Sequence, residues 1–419
     1  MASYHPGGME SSEAVAAGRT CPSCSAPLAV DPRYVTWCPQ CDWNVEPSGA
    51  ATVAEKPRER RRRERAVRRA ERLHEELRRG GVDDRGIDAG RILTYALALL
   101  VLLIPVAMLT GALLLLLGTG FSVPGIVLAA VIAAAALLAR PRLGHREKRL
   151  PVLTRAQAPV LYALLDRVAG AMGARAPAWV VVEPAFNAGT RFVGLRRRVE
   201  LRIGMPLWSL LDDPQRIAVL GHETAHQTNG DTAHSLVVGG AMDTLIELQL
   251  LFMPSRVLHS RSIGGALSEL VRAGLAAMFA AARRGMELLL ARSHQRAEYR
   301  ADTTAARVAG ADATASTLHN LLLSDSCRFA VQRARSRGSD EDALSIVRAH
   351  VATVPDLEKE RLRRVATRRG SRVDDSHPPT PLRSAWVQAL PRAAPQVSVD
   401  AAESAAVDAE LRGAWARVH

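Results

Sequence analysis

Gly221-His222-Glu223-Thr224-Ala225-His226 is the stretch that decides how the rest of the chain is read. It has the form H-E-x-x-H. Two histidines four residues apart on a helix lie one above the other on the same face. Neutral imidazoles so placed can bind one Zn2+ at about 2.0–2.1 Å. The Glu between them then sits beside a water on the metal and can act as its general base. The flanks suit a helix. Asp212 and Asp213 open Pro214-Gln-Arg-Ile-Ala-Val-Leu220, and Asn229-Gly230-Asp231 offers a stop after the second His. Three fixed positions also recur by chance, and a helical His pair can be core or surface furniture, so the motif needs support from elsewhere.

A third ligand is expected downstream. Arg296-Ala-Glu298-Tyr-Arg-Ala-Asp302 reads as helix, with Glu298 and Asp302 one turn apart on one face. One carboxylate can complete the metal site while the other accepts a hydrogen bond from a ligating imidazole and fixes its tautomer. On local pattern alone, such a pair is more often a solvated face.

With 419 residues the chain has room for two or three domains. Hydrophobic residues make up 48% and aromatics only 4%, an Ala-, Leu- and Val-rich content that suits helices. The formal charge of +13 fits either a nucleic-acid binder or a membrane protein with basic flanks. Five Cys are present, four of them clustered near the N-terminus and Cys327 apart. That is no disulfide framework, and it points to a reducing compartment. Residues 1–20 are small and polar, lack a secretory h-region, and are expected to be disordered.

Cys21-Pro-Ser-Cys24 and Cys38-Pro-Gln-Cys41 form two C-x-x-C knuckles at zinc-ribbon spacing. Four thiolates close a tetrahedral site and leave no open position for chemistry, so a structural or partner-binding role is expected. Tyr34-Val-Thr-Trp37 between them suits a short strand. Arg58 to Arg79 follows a Pro- and Ala-rich linker, with Glu59, Glu64, Glu71, Glu75 and Glu76 interleaved. It reads as a solvated helix with i,i+4 ion pairs. Its place before an apolar segment favours a juxtamembrane anchor over nucleic-acid binding.

Ile92 to Leu117 is almost unbroken apolar sequence, longer than the roughly 20 residues that cross a bilayer. Pro105 inside it is tolerated in a membrane helix. A turn over Gly118–Pro124 leads to a second apolar run, Gly125 to Ala139. Arg and Lys flank the outer ends of this hairpin while its turn is uncharged, which puts both ends in the cytoplasm.

Beyond the hairpin, residues 151–175 read as one amphipathic helix, Trp179–Val182 as a strand, and Phe192–Ile203 as one or two strands around Arg196–Arg198. Leu236–Met253 carries Asp243 and Glu247, and Ile263–Ala282 carries Glu269 and Arg272. A charge at the bilayer centre costs at least about 2.5–3.5 kcal/mol, so these read as amphipathic helices at the membrane surface or over the site, with two further spans left open. Residues 311–372 read as helical, and the Ala-rich tail from Val399 as helix or disorder.

Taken together, His222-Glu-Thr-Ala-His226 and Glu298-Tyr-Arg-Ala-Asp302 about seventy residues later resemble the membrane gluzincins, the HtpX-type heat-shock proteases and the related type I CAAX prenyl proteases. Asn187-Ala-Gly189, Ile203-Gly-Met-Pro-Leu-Trp208 and Ser376-His377-Pro-Pro379 with Arg383 resemble further family stretches. The likeness covers roughly residues 90–390, not the ribbon, the basic helix or the tail. It implies that His222, His226 and Glu298 bind zinc, that Glu223 activates water, and that Asp302 supports a zinc His. It further implies that Asn187 holds substrate backbone and that His377 and Arg383 stabilise the developing oxyanion or substrate carbonyl. Gly221 stands where the family usually has Ala, and Thr224-Ala225 where it has Leu-Gly.

The expectation is therefore a mainly α fold with a small β-sheet, an α+β gluzincin peptidase domain at 150–392. Before it come disorder at 1–20, a zinc ribbon at 21–44, linker and basic helix at 45–91, and a transmembrane helical hairpin at 92–139; a C-terminal tail follows at 393–419. The expected protein is a multi-pass cell-membrane zinc metalloendopeptidase facing the cytoplasm and acting in membrane-protein quality control. It would carry one catalytic Zn2+ and one structural Zn2+ on Cys21, Cys24, Cys38 and Cys41. Its partners would be a protein or peptide substrate, the membrane and a protein at the ribbon, with nucleic acid disfavoured. The alternative is a non-catalytic, membrane-tethered binding or regulatory protein built on the ribbon and basic helix.

Overall fold

The computed structural model describes residues 19–47, 57–82, 89–141, 149–194, 196, 198–228, 231–253, 263–338, 342–369 and 378–417. Two short strands, β1 (Arg19–Thr20) and β2 (Pro27–Leu28), pair antiparallel around the first Cys knuckle. Order therefore begins before Cys21, and the expected strand at Tyr34–Trp37 does not form. Helix α1 (Pro57–Gly80) is the basic segment. It is not simply solvated: Ala66, Ala70, Leu73 and Leu77 lie at helical spacing and are buried. Leu73 and Leu77 join Tyr299, Trp386 and Val387 in one apolar cluster, and the Arg292 guanidinium donates to Glu76 at 2.7 Å. The Arg-rich composition had hidden a four-residue apolar stripe.

Helices α2 (Ala89–Gly118) and α3 (Val123–Leu138) pack together as the expected hairpin. Helix α2 runs unbroken through Pro105. Leu100, Leu103, Leu113, Leu114 and Leu117 are each more than half exposed, an apolar surface that water would penalise and lipid would not. Helix α3 has 16 residues, about 24 Å, short of the roughly 30 Å hydrocarbon layer.

The peptidase region opens with strand β3 (Val152–Leu153) and helix α4 (Pro159–Gly170). The single helix expected over 151–175 is therefore shorter. Pro159 presets its first turn, and Val152-Leu153 pairs with a strand instead. Strands β4 (Trp179–Glu183), β5 (Ala188–Val193) and β6 (Arg198–Gly204) complete a sheet of order β3-β4-β6-β5. Strand β4 runs parallel to β6 and β5 antiparallel to it, so β5 is an edge strand. Arg191 faces Glu200 across the β5–β6 ladder, and its Nε donates to the buried carboxylate at 2.6 Å, pinning that edge in register.

A short helix α5 (Met205–Trp208) leads to α6 (Asp213–Thr228), the helix of the H-E-x-x-H motif. Its start is a reciprocal cap. Gln215 N–H donates to Asp212 Oδ1 at 2.9 Å, and Asp212 N–H reaches Gln215 Oε1 at 3.4 Å. Residues 229–230, the expected stop, lie outside the described residues, and α7 (Asp231–Leu251) follows. Helix α8 (Ile263–Ala309) has 47 residues and carries both expected carboxylates. The remaining helices are α9 (Ala311–Asn320), α10 (Ser324–Ser336), α11 (Ala343–Ala352), α12 (Asp356–Arg369), α13 (Thr380–Gln388) and α14 (Ala401–Trp415).

Two expectations need correction. Helices α7 and α8, expected at the membrane surface or over the site with two further spans left open, pack instead with the first apolar helix. Val238, Leu245, Leu248, Phe279 and Leu290 pack with Ala98 and Val101 of α2 in one apolar cluster. The two charges early in α8 are satisfied locally. Arg272 lies 3.6 Å from Glu269 and donates to the Met253 carbonyl at 2.8 Å. Among the described residues α2 and α8 are long and apolar enough to cross a membrane. The second correction concerns the tail. Leu411, Ala414 and Trp415 of α14 are buried with Leu161 and Leu165 of α4 and Val180 of β4 in the main core.

The α1 packing makes a test. Leu77→Ala leaves a cavity in a buried cluster and should cost about 2–5 kcal/mol. Arg65→Ala on the exposed face should stay within about 0.5 kcal/mol. Equilibrium unfolding of the two variants in detergent checks this.

Candidate metal centre

The site is made by two crossing helices and one strand edge. Ile217, Ala218 and Leu220 of α6 pack with Val308 and Ala309 of α8 in the main core, so the faces bearing the polar residues are held together. Gly221 lies at the crossing. A methyl group there would meet the Ala305 Cα at 3.5 Å, ordinary contact, so the helices would accept the Ala usual in the resembled family.

The three expected ligands converge. His222 Nε2 and His226 Nε2 are 3.2 Å apart, His222 Nε2 lies 3.6 Å from Glu298 Oε2, and His226 Nε2 lies 3.5 Å from Glu298 Oε1. Bonds of about 2.0–2.1 Å to a tetrahedral zinc place ligand atoms about 3.4 Å apart. The donor set and all three edges therefore fit zinc, with one corner left for water or substrate.

Behind these ligands sits a buried charge cluster. His222 Nδ1 lies 3.0 Å from Asp302 Oδ1, which leaves Nε2 to face the metal position. Burial alone would push the His222 imidazole down, but the Asp302 and Glu298 carboxylates outweigh it and hold it above its ordinary value. Arg383 of α13 donates through Nε to Asp302 Oδ2 at 2.8 Å and through a terminal nitrogen to Asp302 Oδ1 at 2.7 Å. Its other terminal nitrogen lies 3.1 Å from Glu298 Oε2. The resemblance implied that Arg383 faces the substrate carbonyl. Here the guanidinium is buried, all three nitrogens are engaged by carboxylates, and one terminal nitrogen lies 3.5 Å from His222 Nε2, so it packs directly against the ligand atoms. Burial opposes its charge, yet Asp302 and Glu298 raise its pKa further above the ordinary arginine value.

The open side faces strand β5. Thr190 donates to the Glu223 carbonyl at 3.2 Å and lies 3.4 Å from Glu223 Oε2, so the candidate general base touches the edge strand directly. Sequence reading missed Thr190, whose one available signal was its position three residues after Asn187. It also missed why Gly204 is needed. A Cβ there would lie 2.0 Å from the Ala185 carbonyl oxygen and 2.3 Å from that of Asn187, and the Gly204 N–H donates to the Asn187 carbonyl at 2.8 Å. Asn187 itself is exposed at the start of β5. His377 lies outside the described residues.

A second cluster lies in the ribbon. Cys21 and Cys41 Sγ are 3.5 Å apart, as are Cys24 and Cys38 Sγ, and all four lie within 4.8 Å of one another. Zinc–thiolate bonds of about 2.3 Å give tetrahedral edges of about 3.8 Å, so this set also fits a metal.

Residues 155–390 match the family described as peptidase family M48. The chain is also 29% identical over 242 residues to a protein named Protease HtpX homolog from Pyrobaculum calidifontis, covering 56% of this chain and 68% of that one. No solved structure matches significantly.

The cluster behind the ligands yields a prediction. Arg383→Ala strands two buried carboxylates and should destabilise by about 3–5 kcal/mol. Asp302→Asn keeps the shape and should weaken metal binding about 10–100-fold. Chelator competition on both variants separates a lost fold from a loosened ligand.

Proposed function

The chain belongs to peptidase family M48, and on that premise we propose that it is a membrane zinc metalloendopeptidase whose active site is His222, Glu223, His226 and Glu298. The observation that carries the reading is the near-regular triangle of His222, His226 and Glu298 donor atoms, with Glu223 on the open side. Zinc bound there would polarise the scissile carbonyl and lower the pKa of water.

The chain's own residues do the rest. Glu223 takes the proton from the attacking water at its carboxylate and gives it to the leaving amine. Thr190 holds that carboxylate against β5. The outer edge of β5 pairs with an extended substrate backbone, Asn187 holds the strand that enters, and His377 stabilises charge developing on the substrate carbonyl. Asp302 fixes the His222 tautomer, and Arg383 balances the charge of Asp302 and Glu298 and holds them in place. The ribbon thiolates hold a second, structural zinc.

The chain is read as multi-pass, with the ribbon and the metal site on the cytoplasmic side, because the basic residues flank the outer ends of the α2–α3 hairpin. Damaged or unassembled membrane proteins are the proposed substrates, on the strength of the HtpX-type resemblance. The alternative of a non-catalytic scaffold leaves an assembled donor set with a base beside it unexplained.

Glu223→Gln tests the reading. It should keep the metal and lose about 10²–10⁴-fold in peptide-bond hydrolysis of an unfolded protein substrate. Equal cleavage by the variant and the wild type would overturn the assignment of the base.

A further inference from the structure

The ribbon lies outside the family match, which begins at residue 155, and the open question is what it does. It is not a free module. Four arginines on one face of α12 reach into it. Arg364 donates to the Pro39 carbonyl and to Asp42 Oδ1, both at 2.6 Å, and Arg368 donates to Asp42 Oδ2 at 2.9 Å. Arg361 donates to the Val45 carbonyl at 2.9 Å and Arg369 to Glu46 Oε1 at 2.6 Å. Trp37 is almost fully buried under this contact, with the Arg364 guanidinium 5.0 Å from its ring centroid and Val45 and Val365 beside it.

The Arg364 and Arg368 contacts are made at the second knuckle, and those of Arg361 and Arg369 just beyond it. Pro39 lies between Cys38 and Cys41, and Asp42 follows Cys41 with a left-handed φ of 60°. A small thiolate knuckle has little core of its own, so its backbone shape depends on metal. What α12 grips therefore includes backbone and a carboxylate whose placement depends on how the four thiolates are held.

The grip leads to the metal centre by two routes. Helix α12 packs against α13, the helix that carries Arg383 to Asp302 and Glu298. On the other side Tyr34 of the ribbon packs into the same apolar cluster as Phe186, the neighbour of Asn187 at the start of β5, and its hydroxyl donates to the Thr353 carbonyl at 3.4 Å.

We propose that the ribbon is a metal-dependent clamp. With its thiolate site filled it docks on α12 and steadies both the Arg383 helix and the loop that begins the substrate edge; with the site empty it lets go. Asp42 and Arg364 are the positioning residues of this contact, and neither touches substrate. The docked face is thereby taken, so any outside protein at the ribbon would have to use another. The link to catalysis rests on the peptidase reading, but the docking does not.

The experiment uses the full-length chain in detergent. Cys38→Ser/Cys41→Ser should bind one metal fewer per chain and keep the other. Hydrogen exchange over residues 356–369 and 380–388 should then speed up, and kcat should fall about 5- to 150-fold, the usual span of coupling between two sites, with KM changed less. The charge swap Asp42→Arg with Arg364→Asp leaves the thiols alone. Each single change should mimic metal loss, and the pair should restore protection and kcat in part. Unchanged exchange over 356–369 in the metal-free ribbon would overturn the clamp, whether or not the wild type cleaves anything. Loss in both single variants with no recovery in the pair would overturn the Asp42–Arg364 contact as its basis. A wild type that shows docking but no hydrolysis would count against the peptidase reading while leaving the clamp in place.

Discussion

Two carboxylates, Glu298 and Asp302, are buried one turn apart on α8, and everything at the site depends on how their charge is tolerated. Unpaired, a buried carboxylate would take up a proton and cease to serve as ligand or acceptor. Arg383 offsets this charge by gripping Asp302 with two nitrogens while the third reaches Glu298. His222 shares Asp302 Oδ1 with Arg383. The chain of contacts from Arg383 through Asp302 to His222 sets the charge, the tautomer and the direction of the ligand atoms. Such a cluster is weak as a source of stability, because desolvation offsets much of the attraction. Its value lies in geometry. The cluster packs directly against ligand atoms that stand at zinc-binding distances.

Helix α8 carries this requirement to the membrane. At 1.5 Å per residue, its 47 residues extend about 70 Å, more than twice the thickness of the hydrocarbon layer. Leu267, Leu270, Val271 and Met278 are exposed near its start, and Glu298 and Asp302 lie near its end. One continuous helix thus joins the apolar bundle of α2 and α7 to the metal centre. Helix α1 is laid along the same element through Leu73, Leu77 and the Glu76–Arg292 pair.

How legible this was depended on the kind of residue. His222, Glu223 and His226 were readable because ligand chemistry and helical period coincide within five residues. Glu298 and Asp302 required the family resemblance, since a carboxylate pair on a helix is common and nothing local distinguishes a buried one. Strand β4 showed in its β-branched run and β6 lay within the stretch read as one or two strands, whereas β3, only two residues long, could not show. The burial of α1 was masked because arginines dominate its composition while four spaced apolar residues decide its packing. Helix α14 was read as a tail for a similar reason: Ala-rich sequence says helix but does not say what it covers. The resemblance picked out Arg383, but its grip on Asp302 and Glu298 was not readable, because it is set by where α13 packs and not by any spacing. The same holds for the ribbon, whose thiols announce a metal but whose docking on α12 rests on Arg361, Arg364, Arg368 and Arg369, residues that in sequence look like one more basic helix.

The account stands or falls on what binds between His222, His226 and Glu298. X-ray absorption at the zinc edge, on the full chain with the four ribbon cysteines changed to serine, reads this directly. The account predicts one zinc per chain with only nitrogen and oxygen neighbours at about 2.0–2.1 Å and the outer scattering of imidazole rings. A chain that retains no zinc, or a zinc without imidazole neighbours, would contradict it.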